Sequence, residues 1–101
     1  MSIKIPEKVL RNILADVVFA RSEAMERAFE SLSQKAYDEG RPLNDYEGDV
    51  ATEAAGTRIL SDEIRCGNID LKEVLNEILD TDEKQEVKNR VNKYIRDIKF
   101  Q

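Results

Sequence analysis

Residues 6–42, PEKVLRNILADVVFARSEAMERAFESLSQKAYDEGRP, decide the fold. Apolar residues recur at Val9, Leu10, Ile13, Leu14, Val17, Val18, Met25, Phe29, Leu32 and Ala36, the three- and four-residue spacing of one helix face. Pro6 suits a helix start, where its missing N–H has no intrahelical partner, and Glu7 favours the positive end of the dipole. Gly40-Arg41-Pro42 closes the run. The apolar arc is wide as far as Val18, with Phe19 on its flank, and narrows to a stripe beyond. A helix of about 34 residues spans roughly 50 Å, longer than a compact 100-residue domain is wide. Two outcomes are open: a kink near Arg21-Ser22, or an end that projects and meets a partner.

The remaining chain reads the same way. Asn44-x-x-Glu47 has the form of a capping box and opens a second helix to about Cys66, with Gly67 as its stop. Asp70-x-x-Glu73 opens a short third helix whose apolar face is Leu71, Val74, Leu75, Ile78 and Leu79. Thr81 is placed as the cap of a fourth, with Val87, Val91, Tyr94 or Ile95, and Ile98 on one face and bases gathered at its end. No segment alternates with period two, so no strand is expected. The expectation is an all-α fold in one domain over residues 1–101. It is a helical bundle of three to four helices dominated by a long N-terminal helical hairpin.

Composition removes many functions. The chain is 41% apolar and 37% charged, too apolar for a disordered tail and too charged for a membrane-buried segment. Its longest apolar run, Val17–Ala20, is far short of a transmembrane span. The start, MSIKIPEK, lacks the apolar core of a secretory signal. The single cysteine, Cys66, has no internal disulfide partner, which points to a reducing cytoplasm, a cell's own or an infected host's. With no histidine, the commonest general base and the commonest zinc ligand are both missing. No enzyme activity and no cofactor are expected.

Charge is segregated. Residues 37–63 carry eight acids against Arg41 and Arg58, and residues 70–83 six acids against Lys72. Residues 84–101 carry six bases against Glu86 and Asp97, within a chain of net charge −5. The small basic cluster on an acidic chain argues against direct nucleic-acid binding. The basic last helix is expected to pack near an acidic stretch, within the molecule or across a dimer.

Three constellations are candidates for function. The first is a protein interface at Asp38, Glu39, Asp45, Glu47 and Asp49, with Ala51 and Ala55 of the thin segment GDVATEAAGT (residues 48–57) as a close helix-crossing point. The second is a phosphate-bearing ligand site made from Arg58, Arg65 and Arg21, the hydroxyls of Thr52 and Thr57, and Tyr46 as a stacking ring. The third is a divalent-metal site at Asp45, Asp49 and Glu53, spaced i, i+4, i+8. Small all-α nucleotide pyrophosphohydrolases pair an E-x-x-E with an E-x-x-D motif. Here Glu23-x-x-Glu26 supplies the first, and no E-x-x-D follows on the second helix. The leading expectation is an acidic, non-enzymatic regulatory protein, homo-oligomeric, that occupies the basic surface of a protein partner as a regulator or a phage-type inhibitor does. A protein sequestering a nucleotide-like small molecule, and a Mg-dependent pyrophosphohydrolase, are the alternatives.

Overall fold

The computed structural model describes residues 5–99. Helix α1 spans Glu7–Asp38, α2 spans Asp45–Cys66, the one-turn α3 spans Leu71–Glu73 and continues as a π-helical turn Val74–Ile78, and α4 spans Thr81–Lys99. No strand occurs among the described residues. α1 runs unbroken through Arg21-Ser22 and, at 1.5 Å per residue, is about 48 Å long. The whole measures 62 × 27 × 21 Å. Of the two outcomes left open by sequence, the helix projects.

The reason lies in where apolar side chains stop. Leu14, Ala15, Val17 and Val18 of α1 meet Ile64 of α2, Val74 and Leu79 of the third segment, and Val87 of α4 in one buried cluster. Leu10, Ile13, Leu60, Leu71, Leu75, Ile78 and Val91 pack around it. Fully burying each large side chain here contributes about 1.5–3 kcal/mol. α1 is the shared element: α2 packs along it, and α4 has α1 as its main neighbour. Beyond Ser22 the bundle becomes a two-helix arm whose buried residues are few, Ala36, Glu47 and Ala54.

Several helix ends are held by specific devices. At the C-terminus of α2, Gly67 adopts φ 87°, the left-handed turn that ends a helix without a Cβ penalty. Arg11 of α1 donates to the carbonyls of Ile64 (3.2 Å), in the last turn of α2, and Ile69 (2.8 Å), just beyond it. In the π-helical turn, the Leu79 N–H donates to the Val74 carbonyl five residues back, at 3.0 Å. That wider turn lets Val74 and Leu79 enter the same core. Arg21 then donates to the Ile78 carbonyl at 2.8 Å and grips the Glu83 carboxylate with two nitrogens. The cap of α4 lies one residue before the expected Thr81. Asp80 accepts from the Glu83 N–H (2.8 Å) and Glu83 from the Asp80 N–H (3.0 Å), a reciprocal capping box.

The α1–α2 contact also differs from expectation in the thin segment. Ser61, buried on α2, donates to the Ala15 carbonyl at 2.7 Å. In the thin segment only Ala54 is buried against α1. A Cβ added at Gly48 or Gly56 would meet nothing within 4 Å, so neither glycine is there to admit a neighbouring backbone. Gly56, mid-helix and exposed, therefore weakens α2 by its backbone freedom alone. Gly56→Ala is expected to stabilise the protein by about 0.5–1 kcal/mol, read as a rise of a few degrees in the thermal melting midpoint with unchanged mass in solution.

Candidate functional site

The turn that joins α1 to α2 is built to be stiff. Tyr37 and Asp38 end α1. Glu39 stays in the right-handed region, and Gly40 reverses the chain at φ 65°. The Glu39, Gly40 and Arg41 N–H groups donate back to Lys35, Tyr37 and Ala36 carbonyls, closing the last turn. Arg41 then reaches across to α2 and forms a two-point pair with Glu47 (2.8 and 3.1 Å), while also donating to Glu39 at 2.6 Å. Glu47, only 2% exposed, accepts the Asn44 N–H at 2.9 Å as well. The Asn44 side chain accepts the Glu47 N–H at 2.8 Å, completing the expected capping box.

This scaffold carries three large side chains outward. Tyr37 is 81% exposed, Tyr46 68% and Leu43 44%. Asp38, Glu39, Asp45 and Asp49 surround them, all exposed. Tyrosine brings much contact area and a polar tip at little entropic cost. The hairpin end thus exposes two tyrosines and a leucine among acidic residues, in a molecule 62 Å long.

A second surface runs along the arm. Between α1 and α2 lies an open cleft of about 410 Å³, lined by Glu26, Phe29, Ala51, Ala54, Ala55, Arg58 and Ile59. Ile59 is 61% exposed. Arg58 pairs with Glu26 at 2.6 Å and lies 5.6 Å from the centre of the Phe19 ring, a cation–π distance. Its carboxylate partner is on α1 rather than at Asp62, one turn on along its own helix.

The structure separates several residues that sequence reasoning grouped. Asp38, Glu39, Asp45 and Asp49 are exposed on the residues flanking the α1–α2 turn, and Ala51 and Ala55 line the cleft. Glu47 does not join them as a surface contact: it is buried and committed to Arg41 and the Asn44 N–H. The arginines intended for a phosphate are each committed to a different partner within the fold. Arg21 holds Ile78 and Glu83, Arg65 holds Asp16 (2.7 Å) and Asn12 (3.1 Å), and Arg58 holds Glu26. The Thr52 and Thr57 hydroxyls donate to Gly48 and Glu53 carbonyls one turn back. Tyr46 stands twelve residues from Arg58, about 18 Å along the helix. Asp45, Asp49 and Glu53 line one exposed face of α2. Among the described residues no three acidic or cysteine side chains converge to hold a metal ion. No described helix is long and apolar enough to cross a membrane. Tyr37 and Leu43 were missed as patch residues. The available signal was their position on either side of a Gly-x-Pro break, where no helix face remains to bury them.

Comparison with protein families, with curated proteins and with solved structures finds no match to this chain.

The Glu47 pair has a pH signature. Chiefly the Arg41 guanidinium, and then the Asn44 N–H, hold the Glu47 carboxyl at about 2, below its ordinary 4.5. A carboxyl whose pKa falls on folding stabilises the fold above its unfolded value and loses that contribution as pH drops through its folded one. Glu47→Gln is therefore expected to melt lower than the parent protein by a constant margin above pH 4.5, a margin that closes toward pH 2. Parallel thermal melts across that range check it. A margin that persists at pH 2 would mean that the charge of Glu47 is not what secures the turn.

Proposed function

We propose that this protein is a non-enzymatic binding protein that regulates or inhibits a partner by occupying its surface, with the arm tip as the contact. The observation that carries the reading is the outward display of Tyr37, Leu43 and Tyr46 on a turn locked by the Arg41–Glu47 pair. These side chains contribute little to the core, and the arm that bears them needs little else to do. The matching partner has apolar pockets for the two tyrosines within a basic surround, complementary to Asp38, Glu39, Asp45 and Asp49. Arg21 and Glu83, by contrast, are fully engaged in holding the fold and have no part in this contact.

The reading is tested by affinity capture from the native lysate, comparing the parent chain with two variants. Tyr37→Ser/Tyr46→Ser removes the aromatic anchors, and Asp38→Lys/Asp45→Lys/Asp49→Lys reverses the rim. Both sets are exposed, so melting temperatures are expected to stay within about a few degrees of the parent. A captured protein that is lost from both variants, and released from the parent as salt approaches about 1 M, supports the proposal. Identical capture by all three chains, or no captured protein, overturns it.

A further inference from the structure

We infer that the outer face of α4 binds duplex DNA, with its bases on phosphates and its amides toward base edges in the major groove. α4 has α1 as its main neighbour, and Val87, Val91 and Tyr94 are the side chains it turns toward α1. The opposite side, from Gln85 onward, holds Lys88, Lys93, Arg96 and Lys99 with Gln85, Asn89 and Asn92 between them, all exposed. At 3.6 residues per turn these seven fall within an arc of about 140°. No acid shares that arc. Glu86 and Asp97 stand beyond its Lys93 edge, where Arg90 pairs with Glu86 at 2.8 Å. Among the described residues Lys88, Lys93 and Arg96 take part in no ion pair.

Residue types select the occupant. A protein partner is held through aromatic or apolar anchors, and lysine is depleted from such contacts. A membrane surface needs an apolar face free to enter it, and that of α4 is turned to α1. The outer face offers neither. It offers amides among bases, the set that nucleic acids engage. Lysine and arginine neutralise phosphates, while asparagine and glutamine both donate and accept, as the major-groove edge of adenine requires. A B-form major groove about 12 Å wide admits an α-helix, whereas the A-form groove of duplex RNA is too deep and narrow. From Gln85 to Lys99 the face runs about 21 Å, the rise of about six base pairs.

A net charge of −5 does not oppose this contact, because the fold separates the two signs. The later half of α4 lies beside Val9, Asn12 and Ile13 near the start of α1, and Asp38 ends α1 at the acidic turn. Asn12 and Asp38 are about 39 Å apart along the helix, several times the Debye length of about 8 Å at physiological salt. Nearer acids are engaged: Asp16 holds Arg65, and Glu83 holds Arg21. Asp82 lies one turn before Gln85 and marks where the face begins. A polyanion approaching α4 therefore meets a local excess of positive charge that the whole-chain sum conceals.

Fluorescence anisotropy of a labelled DNA duplex of about 20 base pairs, in about 50 mM salt, is expected to show binding at micromolar protein. Affinity is expected to fall with salt at a log–log slope of about −3 to −4, the mark of four neutralised phosphates. Lys88→Gln/Lys93→Gln/Arg96→Gln is expected to weaken binding tenfold or more and bring the slope to about −1. Its helical circular dichroism spectrum is expected to match the parent's, since all three positions are exposed. No binding at about 100 μM protein overturns the inference, as does binding indifferent to the triple variant. Displacement of the DNA by an equal charge of poly-glutamate overturns it in favour of an acidic protein partner. Tighter binding of the same sequence as an RNA duplex overturns the major-groove contact. Tyr37→Ser/Tyr46→Ser is expected to bind DNA as the parent does, so failure here is distinct from failure of the tip as a binding surface.

Discussion

The whole arrangement depends on how far the wide apolar arc extends along α1. Up to Val18 the helix has apolar side chains on enough of its circumference to take α2 on one side and α3 and α4 on another. At Ser22 the arc has narrowed to what one neighbour can cover. Ser22 is buried, with its hydroxyl returned to the Phe19 carbonyl at 2.7 Å. Past that point a third layer would gain too little buried area to offset its conformational entropy. The chain accordingly spends α3 and α4 at one end, and the hairpin continues alone.

With so little core in the arm, polar contacts set its geometry, and they follow one plan used twice. At the start of α2 the third helical residue, Glu47, accepts from the cap N–H and receives an arginine fork from Arg41. At the start of α4, Glu83 does the same with the Asp80 N–H and Arg21. A capping box alone orders one helix turn. Adding the arginine ties that turn to a neighbouring segment, and the carboxylate's lone pairs are filled without an apolar shell. Arg41 closes the hairpin tip in this way, and Arg21 fixes α4 to α1. Arg11 serves the third junction by taking carbonyls on either side of Gly67.

Much of this was legible in the residues because local rules and tertiary packing agree. The helix starts at Pro6 and Asn44, the stops at Gly40 and Gly67, and the apolar faces of all four helices follow from spacing and cap chemistry that act within a turn or two. What sequence could not supply was pairing across elements. Arg58 has Asp62 four residues away and Glu26 thirty-two residues away, and the structure chooses Glu26. Glu47 reads equally as a capping residue and as part of an acidic surface. Only the position of Arg41 after the turn decides that it is buried. Asp80 and Thr81 are both good caps, and the structure uses Asp80 where the π-helical turn delivers the chain to α4.

The segment GDVATEAAGT shows why an arm this thin has something to offer. Its three faces are put to different uses. Ala54 goes inward against α1, Ala51 and Ala55 turn sideways into the cleft, and Asp49 and Glu53 face solvent. Larger residues at 51 and 55 would fill the cleft from within, and α2 would become a finished surface. Small ones leave the pair of helices stable enough to hold their shape, through Arg41, Glu47 and Ala54, while leaving apolar area uncovered beside Ile59 and Phe29. That uncovered area has a cost in solubility unless another layer meets it.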